Sequence, residues 1–301
     1  MSLKYRKFEP EDRTPVYRMF RESLWDYMLQ HGLASPEDEN DIDEYFRQQQ
    51  NLYVHLEQTA SEDWVAENGT GDLVGWARSI ERDNHLQLTH FFVNPDVQGG
   101  GVGRALLDRA FPLDRGDQRS IIATTNTRAL SLYLRQDVCF QGMAFSFYGE
   151  PNIREFNSDL DVEQVDASPK TLGSIVAIDS QVLGYRRPSD LEFFMNQQPT
   201  FLFRRAGRLV AYAFGCDGYS AGPAATLEPE HLPTLLHQIE RSACYSGMDL
   251  LWLTIPAAAR QAVTWALSSG YKIDPFYEVL LAREPSMNLD RFIMTQSAFI
   301  W

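Results

Sequence analysis

Cysteine and basic residues are both scarce in this 301-residue chain. The three cysteines, Cys139, Cys216 and Cys244, are an odd, scattered set without the spacing of metal ligands. They predict neither a disulfide framework nor a metal site, and they suit a reducing, cytoplasmic compartment. Only 27 basic side chains stand against 41 acidic ones, which gives a formal net charge of −14. This balance argues against nucleic acid as a partner, since it repels polyanions. It would attract a cationic amine, the alternative being an acidic surface that only keeps the protein in solution.

Long apolar runs are absent as well. No stretch approaches the roughly eighteen apolar residues of a membrane span, so no association with a membrane is expected. Lys4, Arg6 and Lys7 are not followed by the apolar segment of a secretory signal. What is present is an ordinary globular composition, 44% hydrophobic and 23% charged. The length suggests two domains, each able to bury a core.

The most informative segment is a glycine-rich turn between a predicted strand and a predicted helix. The apolar stretch from Leu86 to Val93 is followed by Pro95, by three consecutive glycines, and by a helix-like segment from Val102. The first amides of a helix lack intrahelical partners and carry a partial positive charge, and glycine lets the backbone approach a ligand closely. The turn therefore predicts an anion site suited to a phosphate or diphosphate. The alternative is a glycine-rich connection that binds nothing.

The spacing of the glycines distinguishes between phosphate ligands. A dinucleotide fingerprint would need a further glycine at Arg104 or Leu106, and a P-loop would need a lysine after Gly103. The pattern that fits is Gln/Arg-x-x-Gly-x-Gly/Ala, with Gln98, Gly101 and Gly103 at the defined positions. With Val-x-Pro before it and an apolar helix after it, this segment resembles the acyl-CoA loop of the GNAT superfamily of N-acetyltransferases.

A second segment supports the same resemblance. After a predicted buried strand, the family pattern N-x-x-A-x-x-L-Y is matched in identity and spacing at Asn126, Ala129, Leu132 and Tyr133. Phe140 stands where the family has the phenylalanine of a Gly-Phe pair, but Cys139 replaces the glycine, so that turn is expected to differ. Together the two segments cover about fifty residues of the N-terminal half.

The resemblance and the order of the predicted elements imply an α+β fold (mixed α/β). We expect two GNAT-like domains, each with a central, mixed, partly antiparallel twisted sheet flanked by helices. Residues 1–150 would form the catalytic domain, residues 160–284 a degenerate copy, and residues 285–301 an apolar tail that docks on the protein. Residues 149–161 are the expected linker.

The degenerate copy is inferred from parallels between the two halves. Residues 227–230 parallel residues 93–96, and the same offset places bulky side chains opposite Gln98, Gly101 and Gly103, namely Leu232, Leu235 and His237. These side chains would hold the backbone away from a diphosphate. Thr264 stands where the first half has Tyr133. The second copy is therefore expected to be structural or to contribute to the substrate pocket, the alternative being an unrelated α+β domain.

The family resemblance implies an acyl-CoA-dependent N-acetyltransferase. It would transfer acetyl from acetyl-CoA directly to the primary amine of a small molecule, through a tetrahedral intermediate and without a metal. Main-chain groups of Phe92 and Val93 would pair with the pantetheine arm and polarise the thioester carbonyl, while Asn126 supports the arm or positions a water. The residues expected to hold acetyl-CoA are Phe92, Val93, Gln98, Gly99, Gly100, Gly101, Val102, Gly103, Arg104, Asn126 and Tyr133.

The candidate catalytic residues are Tyr133 and His90. By family analogy Tyr133 is the general acid that protonates the departing sulfur, although its helical spacing also fits a core residue. His90 is the candidate base, yet strand alternation places it on the face opposite Val93 unless a bulge re-aims it. Glu81 and ordered water are the alternative bases.

Other readings of the sequence stay open at this point. The chain could be a non-catalytic acyl-CoA-binding or regulatory module, or an N-acetyltransferase for proteins or peptides. The identity of the amine and a homodimeric state are left open. Three aromatic residues could line an acceptor pocket or belong to the core: Trp25, Tyr27 and Trp76. Asp41, Asp43 and Glu44 are expected on a solvated helix face.

Overall fold

The computed structural model describes residues 3–35, 37, 42–216, 220–285, 287–295 and 300–301. The chain forms two compact units. The first comprises Met1–Ile121 and Asn126–Cys139, and the second comprises Ile122–Thr125 and Phe140–Trp301. The boundary lies at Cys139 instead of the expected residue 150, because the strand that begins there pairs with a strand of the C-terminal half.

The first unit has the α+β order that the sequence predicts. Its elements are β1 (Lys4–Lys7), α1 (Arg13–Gln30), α2 (Ile42–Gln58), β2 (Ala60–Glu67), β3 (Leu73–Arg82), β4 (His85–Val93), α3 (Val102–Ala110), β5 (Gln118–Ala123) and α4 (Thr127–Tyr133). Strands β1 to β5 are neighbours in chain order. Every pair among them is antiparallel except β4 and β5, which run parallel.

Helix α3 packs on this sheet through one apolar face. Val102, Leu106 and Ala110 recur every fourth residue, which places them on one side of a helix, and all three are buried against β2 and β3. Gly75 of β3 permits the contact, because a Cβ there would lie 2.7 Å from the Cδ1 atom of Leu106. The packing holds the N-terminus of α3 close to the end of β4.

Strand β4 separates from β5 before its own end. The parallel pairing runs from His85 and Gln118 only as far as Leu88 and Ile121. Thr89 is the extra residue of a β-bulge, since His90 pairs with Arg78 while Leu88 pairs with Ser79. In the part of the chain that the structure describes, residues 89–93 are therefore hydrogen-bonded to a strand on one side only.

The second unit repeats the element order of the first. After β6 (Cys139–Gly149) come β7 (Asp161–Val165), α5 (Pro169–Leu183), α6 (Pro188–Gln197), β8 (Thr200–Arg205), β9 (Arg208–Phe214), β10 (Ala224–Thr226), α7 (Leu232–Tyr245), β11 (Leu251–Pro256), α8 (Arg260–Ser268), β12 (Lys272–Ala282) and β13 (Phe292–Ile293). Strands β7 to β10 pair antiparallel in chain order, as β1 to β4 do. The elements from β1 to β6 and those from β7 to β12 thus follow the same order: strand, two helices, three strands, helix, strand, helix and strand.

The C-terminal segment occupies the space beside β10. Strand β13 pairs with β10, and the next residue, Met294, bridges to Thr254 of β11 with a hydrogen bond of 3.0 Å from Met294 N to Thr254 O. Phe292 and Ile293 are buried, and so are Ile300 and Trp301. Residues 296–299 of the expected apolar tail lie outside the described residues.

None of the helices in the described ranges is long and apolar enough to cross a membrane.

Candidate active site

The glycine loop, residues 98–101, joins the short 3-10 helix Pro95–Val97 to α3. Gly99 and Gly101 have φ angles of 90° and 84°, in the left-handed region that favours glycine. A Cβ on either residue would meet nothing within 4 Å. The backbone conformation therefore requires these two glycines, and the loop borders open space.

Helix α3 begins without a side-chain cap. Its first intrahelical hydrogen bond runs from Ala105 N to Gly101 O at 3.1 Å. The amides of Val102, Gly103 and Arg104 precede that bond, so the helix itself provides no acceptor for them. They carry the partial positive charge of the helix N-terminus, and an anion is their natural partner.

Gly103 has a different role from the loop glycines. A Cβ there would lie 3.0 Å from Phe91 Cζ and 3.3 Å from Leu132 Cδ1. Glycine therefore lets the first turn of α3 approach both β4 and α4. Both glycine-requiring positions of the sequence pattern are explained by this geometry: Gly101 by its φ angle and Gly103 by close packing.

The side chain of Gln98 fastens the loop at two points. Its Nε2 atom donates to Val93 O at 3.0 Å, and its Oε1 atom accepts from Arg128 Nη1 at 3.0 Å. The first bond closes the turn after β4, and the second connects the loop to the first turn of α4. Gln98 thus shapes the loop through internal bonds, whereas Arg104 is exposed beside it.

The end of β4 presents two faces to its own unit. Phe91 and Val93 pack towards the α3 cluster, whereas Phe92 lies against Phe20 of α1 with ring centroids 4.5 Å apart. The main chain of Phe92 and Val93 belongs to the segment that is not paired with β5. The amides and carbonyls of an unpaired strand edge can form hydrogen bonds with an extended ligand, as they would with a neighbouring strand.

Tyr133 closes α4 next to this strand. Its side chain is buried, with 6% of its surface exposed, and its ring lies edge-on to Phe91 at 5.6 Å. Burial raises the pKa of the phenol above its usual value of 10, so the group stays protonated at neutral pH. Within the described residues the hydroxyl has no hydrogen-bond partner. The ring of Tyr133 packs in the core, and its hydroxyl carries a proton that it could donate.

Asn126 is the N-cap of α4. Its Oδ1 atom accepts hydrogen bonds from Arg128 N at 3.0 Å and Ala129 N at 3.2 Å. The N-x-x-A spacing therefore has a structural cause, because a cap needs its oxygen two to three residues before the amides that it accepts. The role of Asn126 towards pantetheine or water stays a prediction.

The structure places His90 in an aromatic cluster. Its ring stacks on Trp76 at 4.4 Å and lies 5.1 Å from Tyr53, with 1% of the residue exposed. Burial, and then the charge of Arg78, lower the pKa of His90 well below 6.5. Despite the bulge, His90 shares the α1 side of β4 with Phe92, so the strand separates it from the α3 side. Its catalytic role stays a prediction, and a neutral, enclosed imidazole is a weak base.

The other residues considered from sequence have local partners. Glu81 forms an ion pair with Arg115. Trp76 is fully buried and donates to Asp63 Oδ1 at 2.9 Å, and the ring of Tyr27 lies tilted against that of His31, with centroids 4.2 Å apart. Asp43 and Glu44 lie in the first turn of α2, and Asp41 lies outside the described residues. The contact that the sequence did not predict is the one between Arg128 and Gln98, thirty positions apart.

The corresponding turn of the second unit lacks a loop. The 3-10 helix Pro229–His231 leads directly into α7, which begins at Leu232. Leu232 and Leu235 are completely buried, and His237 is buried as well. Thr264, opposite Tyr133 in the predicted parallel, is exposed on α8. In the described ranges, no group of three or more histidine, cysteine, aspartate or glutamate residues could hold a metal ion.

A comparison with known protein families gives a match in the first unit. Residues 17–137 match the model of the acetyltransferase (GNAT) family. The family uses acetyl-CoA as its cosubstrate. No curated protein matches the chain.

Solved structures share the fold over nearly the whole chain. A putative acetyltransferase from Pyrococcus horikoshii is 14% identical with a TM-score of 0.69, covering 96% of this chain and 92% of its own. A GCN5-related N-acetyltransferase from Sphaerobacter thermophilus is 15% identical with a TM-score of 0.64, covering 96% and 98%. A tandem GNAT protein from the clavulanic acid biosynthesis pathway is 12% identical with a TM-score of 0.55, covering 93% and 98%. At these identities the similarity shows the fold alone.

Proposed function

We propose that the first unit is an acetyl-CoA-dependent N-acetyltransferase that acts on the primary amine of a small molecule. The observation that carries this proposal is the uncapped N-terminus of α3, reached through two left-handed glycines that border open space. These features fit a diphosphate, because no side chain competes with it for the amides of residues 102–104. The net charge of −14 favours a cationic acceptor.

Each part of the site has a task in this proposal. When bound, acetyl-CoA supplies an activated acyl carbon and a thiolate leaving group. The α3 amides hold the diphosphate, and the main chain of Phe92 and Val93, on the side that is not paired with β5, aligns the pantetheine arm. The phenol of Tyr133 holds a proton at its Oη atom and donates it to the departing sulfur. The amine loses its proton to ordered water or to a side chain at the acceptor site.

The second unit is proposed to be a degenerate copy that does not bind acyl-CoA. Its repeated element order supports a common plan, and the buried Leu232 and Leu235 stand where the first unit has its loop. Residues 292–294 fill the space between β10 and β11. One acyl-CoA per chain is the expected stoichiometry.

The test is a thiol-release assay with acetyl-CoA and a panel of small amines and peptides, run beside calorimetric titration with CoA. Saturable CoA binding and turnover with a small amine would support the proposal. CoA binding without turnover across the panel would indicate a binding module instead. Turnover with peptides alone would indicate a protein or peptide acetyltransferase, and absence of CoA binding would overturn the site itself.

A further inference from the structure

Arg128 is the cationic side chain that the fold connects to the glycine loop. It lies in the first turn of α4, is exposed, and reaches Gln98 Oε1 with its Nη1 atom at 3.0 Å. The backbone amide of Arg128 is held separately by the cap oxygen of Asn126. The backbone of Arg128 is therefore held by the helix cap, and its guanidinium is held by the loop.

Most of the donors of this guanidinium remain available. An arginine side chain carries five N–H donors in a planar fork, and within the described residues the only side-chain hydrogen bond of Arg128 is the one to Gln98. Gln98 cannot neutralise the charge, since its amide is uncharged. An exposed guanidinium with open donors thus contacts the loop that leads into α3, in a protein that is otherwise strongly acidic.

We propose that Arg128 is a phosphate-binding residue for the acyl-CoA cosubstrate, held in place by Gln98. The inference rests on the proposed function and extends it beyond main-chain recognition of the diphosphate. Arginine forms paired hydrogen bonds to phosphate oxygens, and such charge-assisted bonds are stronger than bonds to a neutral donor. The partner is a phosphate ester of CoA, either the diphosphate or the 3′-phosphate.

The test is the affinity for CoA and for dephospho-CoA, measured by calorimetric titration without acceptor or turnover. Arg128→Gln removes the charge, Arg128→Lys keeps it without the fork, and Arg135→Gln is the matched control, an exposed arginine just beyond α4. We expect Arg128→Gln to raise the Kd for CoA about tenfold or more, Arg128→Lys to raise it less, and Arg135→Gln to leave it within about twofold. Unfolding midpoints of all three variants should match that of the unaltered protein.

The comparison of CoA with dephospho-CoA shows which phosphate group Arg128 contacts. A penalty that disappears with dephospho-CoA would place Arg128 at the 3′-phosphate, and an equal penalty with both ligands would place it at the diphosphate; either result supports the inference. If the unaltered protein binds CoA while Arg128→Gln and Arg135→Gln are alike, the inference is wrong and the proposed function stands. If the unaltered protein does not bind CoA, the proposed function fails first.

Discussion

The two units differ in how the chain passes from a strand to the helix that follows it. In the first unit the chain leaves β4, makes a 3-10 turn and passes through an exposed glycine loop before α3 begins. In the second unit the chain leaves β10, makes the same 3-10 turn and enters α7 at once. Where the first loop exposes main chain, the second turn buries Leu232 and Leu235. The same order of elements can therefore present amides to a ligand or complete a hydrophobic core.

The strand edges differ in the same sense. Beyond Leu88 the edge of β4 is not paired with β5, whereas β10 pairs with β13 and Met294 bridges to β11. An extended chain segment thus pairs in the second unit with the kind of edge that β5 leaves unpaired in the first unit. Under the proposed function, this difference in strand pairing is what allows the first unit, and not the second, to bind acyl-CoA.

The largest effect on CoA affinity is expected for Gly101→Leu, because the second unit has a leucine at the corresponding position. Gly101→Leu introduces the side chain found at position 235, at a φ of 84° that costs an L-residue roughly 1–2 kcal/mol and beside amides meant for a ligand. We expect CoA affinity to fall by about a hundredfold or more and turnover to disappear with it. Calorimetric titration measures the affinity, and circular dichroism verifies the fold.

Gly100→Ala is the matched control for that substitution. Gly100 lacks a positive φ, and a Cβ there would meet only Val97 O at an ordinary 3.5 Å. Its CoA affinity should stay close to that of the unaltered protein. Equal affinities for Gly101→Leu and Gly100→Ala would contradict the role assigned to the loop.

Tyr133→Phe should separate catalysis from binding. The ring contact with Phe91 is kept, so the fold and the Kd for CoA should not change. Loss of the proton donor is expected to lower kcat by about a hundredfold or more, the usual range for a general acid. Single-turnover thiol release is the measurement, and an unchanged kcat would remove Tyr133 from the mechanism.

In the second unit, the carboxyl group of Glu278 should make the free energy of unfolding depend on pH. Burial, and to a lesser degree the charge of Asp274, raise the pKa of Glu278 from 4.5 to about 8. The folded state holds this proton where the unfolded chain has lost it, so Glu278 lowers stability progressively as pH rises from about 4.5 to 8. Glu278→Gln should therefore stabilise the protein at pH 9 relative to pH 5, by about 4 kcal/mol.

Urea unfolding at the two pH values tests this expectation. Glu192→Gln, an exposed carboxylate on α6 of the same unit, is the control and should show little change between them. A pH-independent difference between Glu278→Gln and the unaltered protein would contradict a raised pKa for Glu278.

The smallest effect is expected for removal of a helix N-cap, and each unit offers one such cap for comparison. Asn126 caps α4 by accepting two amides, and Ser168 caps α5 by accepting Thr171 N at 3.1 Å. Alanine at either position should lower the free energy of unfolding by about 1 kcal/mol. Only Asn126→Ala should also weaken CoA binding, since it loosens the helix turn that carries Arg128. Equal CoA affinities for the two variants would mean that this turn does not contribute to the site.

Local pattern was enough to predict many elements. The periodicity from Pro15 to Gln30 predicts a helix, and α1 spans Arg13–Gln30. The Asn68-Gly69-Thr70-Gly71 turn predicts the hairpin of β2 and β3, and Asn68 Oδ1 accepts the amides of Thr70 and Asp72 at 2.9 Å. Such elements are specified by neighbouring residues, so sequence alone reveals them.

Pairings between distant residues could not be predicted in this way. The unit boundary at Cys139 depends on β6 pairing with β11, a hundred positions later, and the place of Phe292 depends on a pairing with Ala225. The contact of Gln98 with Arg128 joins two motifs that the sequence presents separately. Periodicity specifies which face is apolar but not which distant partner covers it.

The most direct test of the account is the number of CoA molecules that one chain binds. Calorimetric titration of the full chain should give one saturable site, which Gly101→Leu abolishes and which Leu235→Ala in the second unit leaves intact. The absence of saturable binding, or a second site that survives Gly101→Leu, would contradict the assignment of binding to the glycine loop of the first unit.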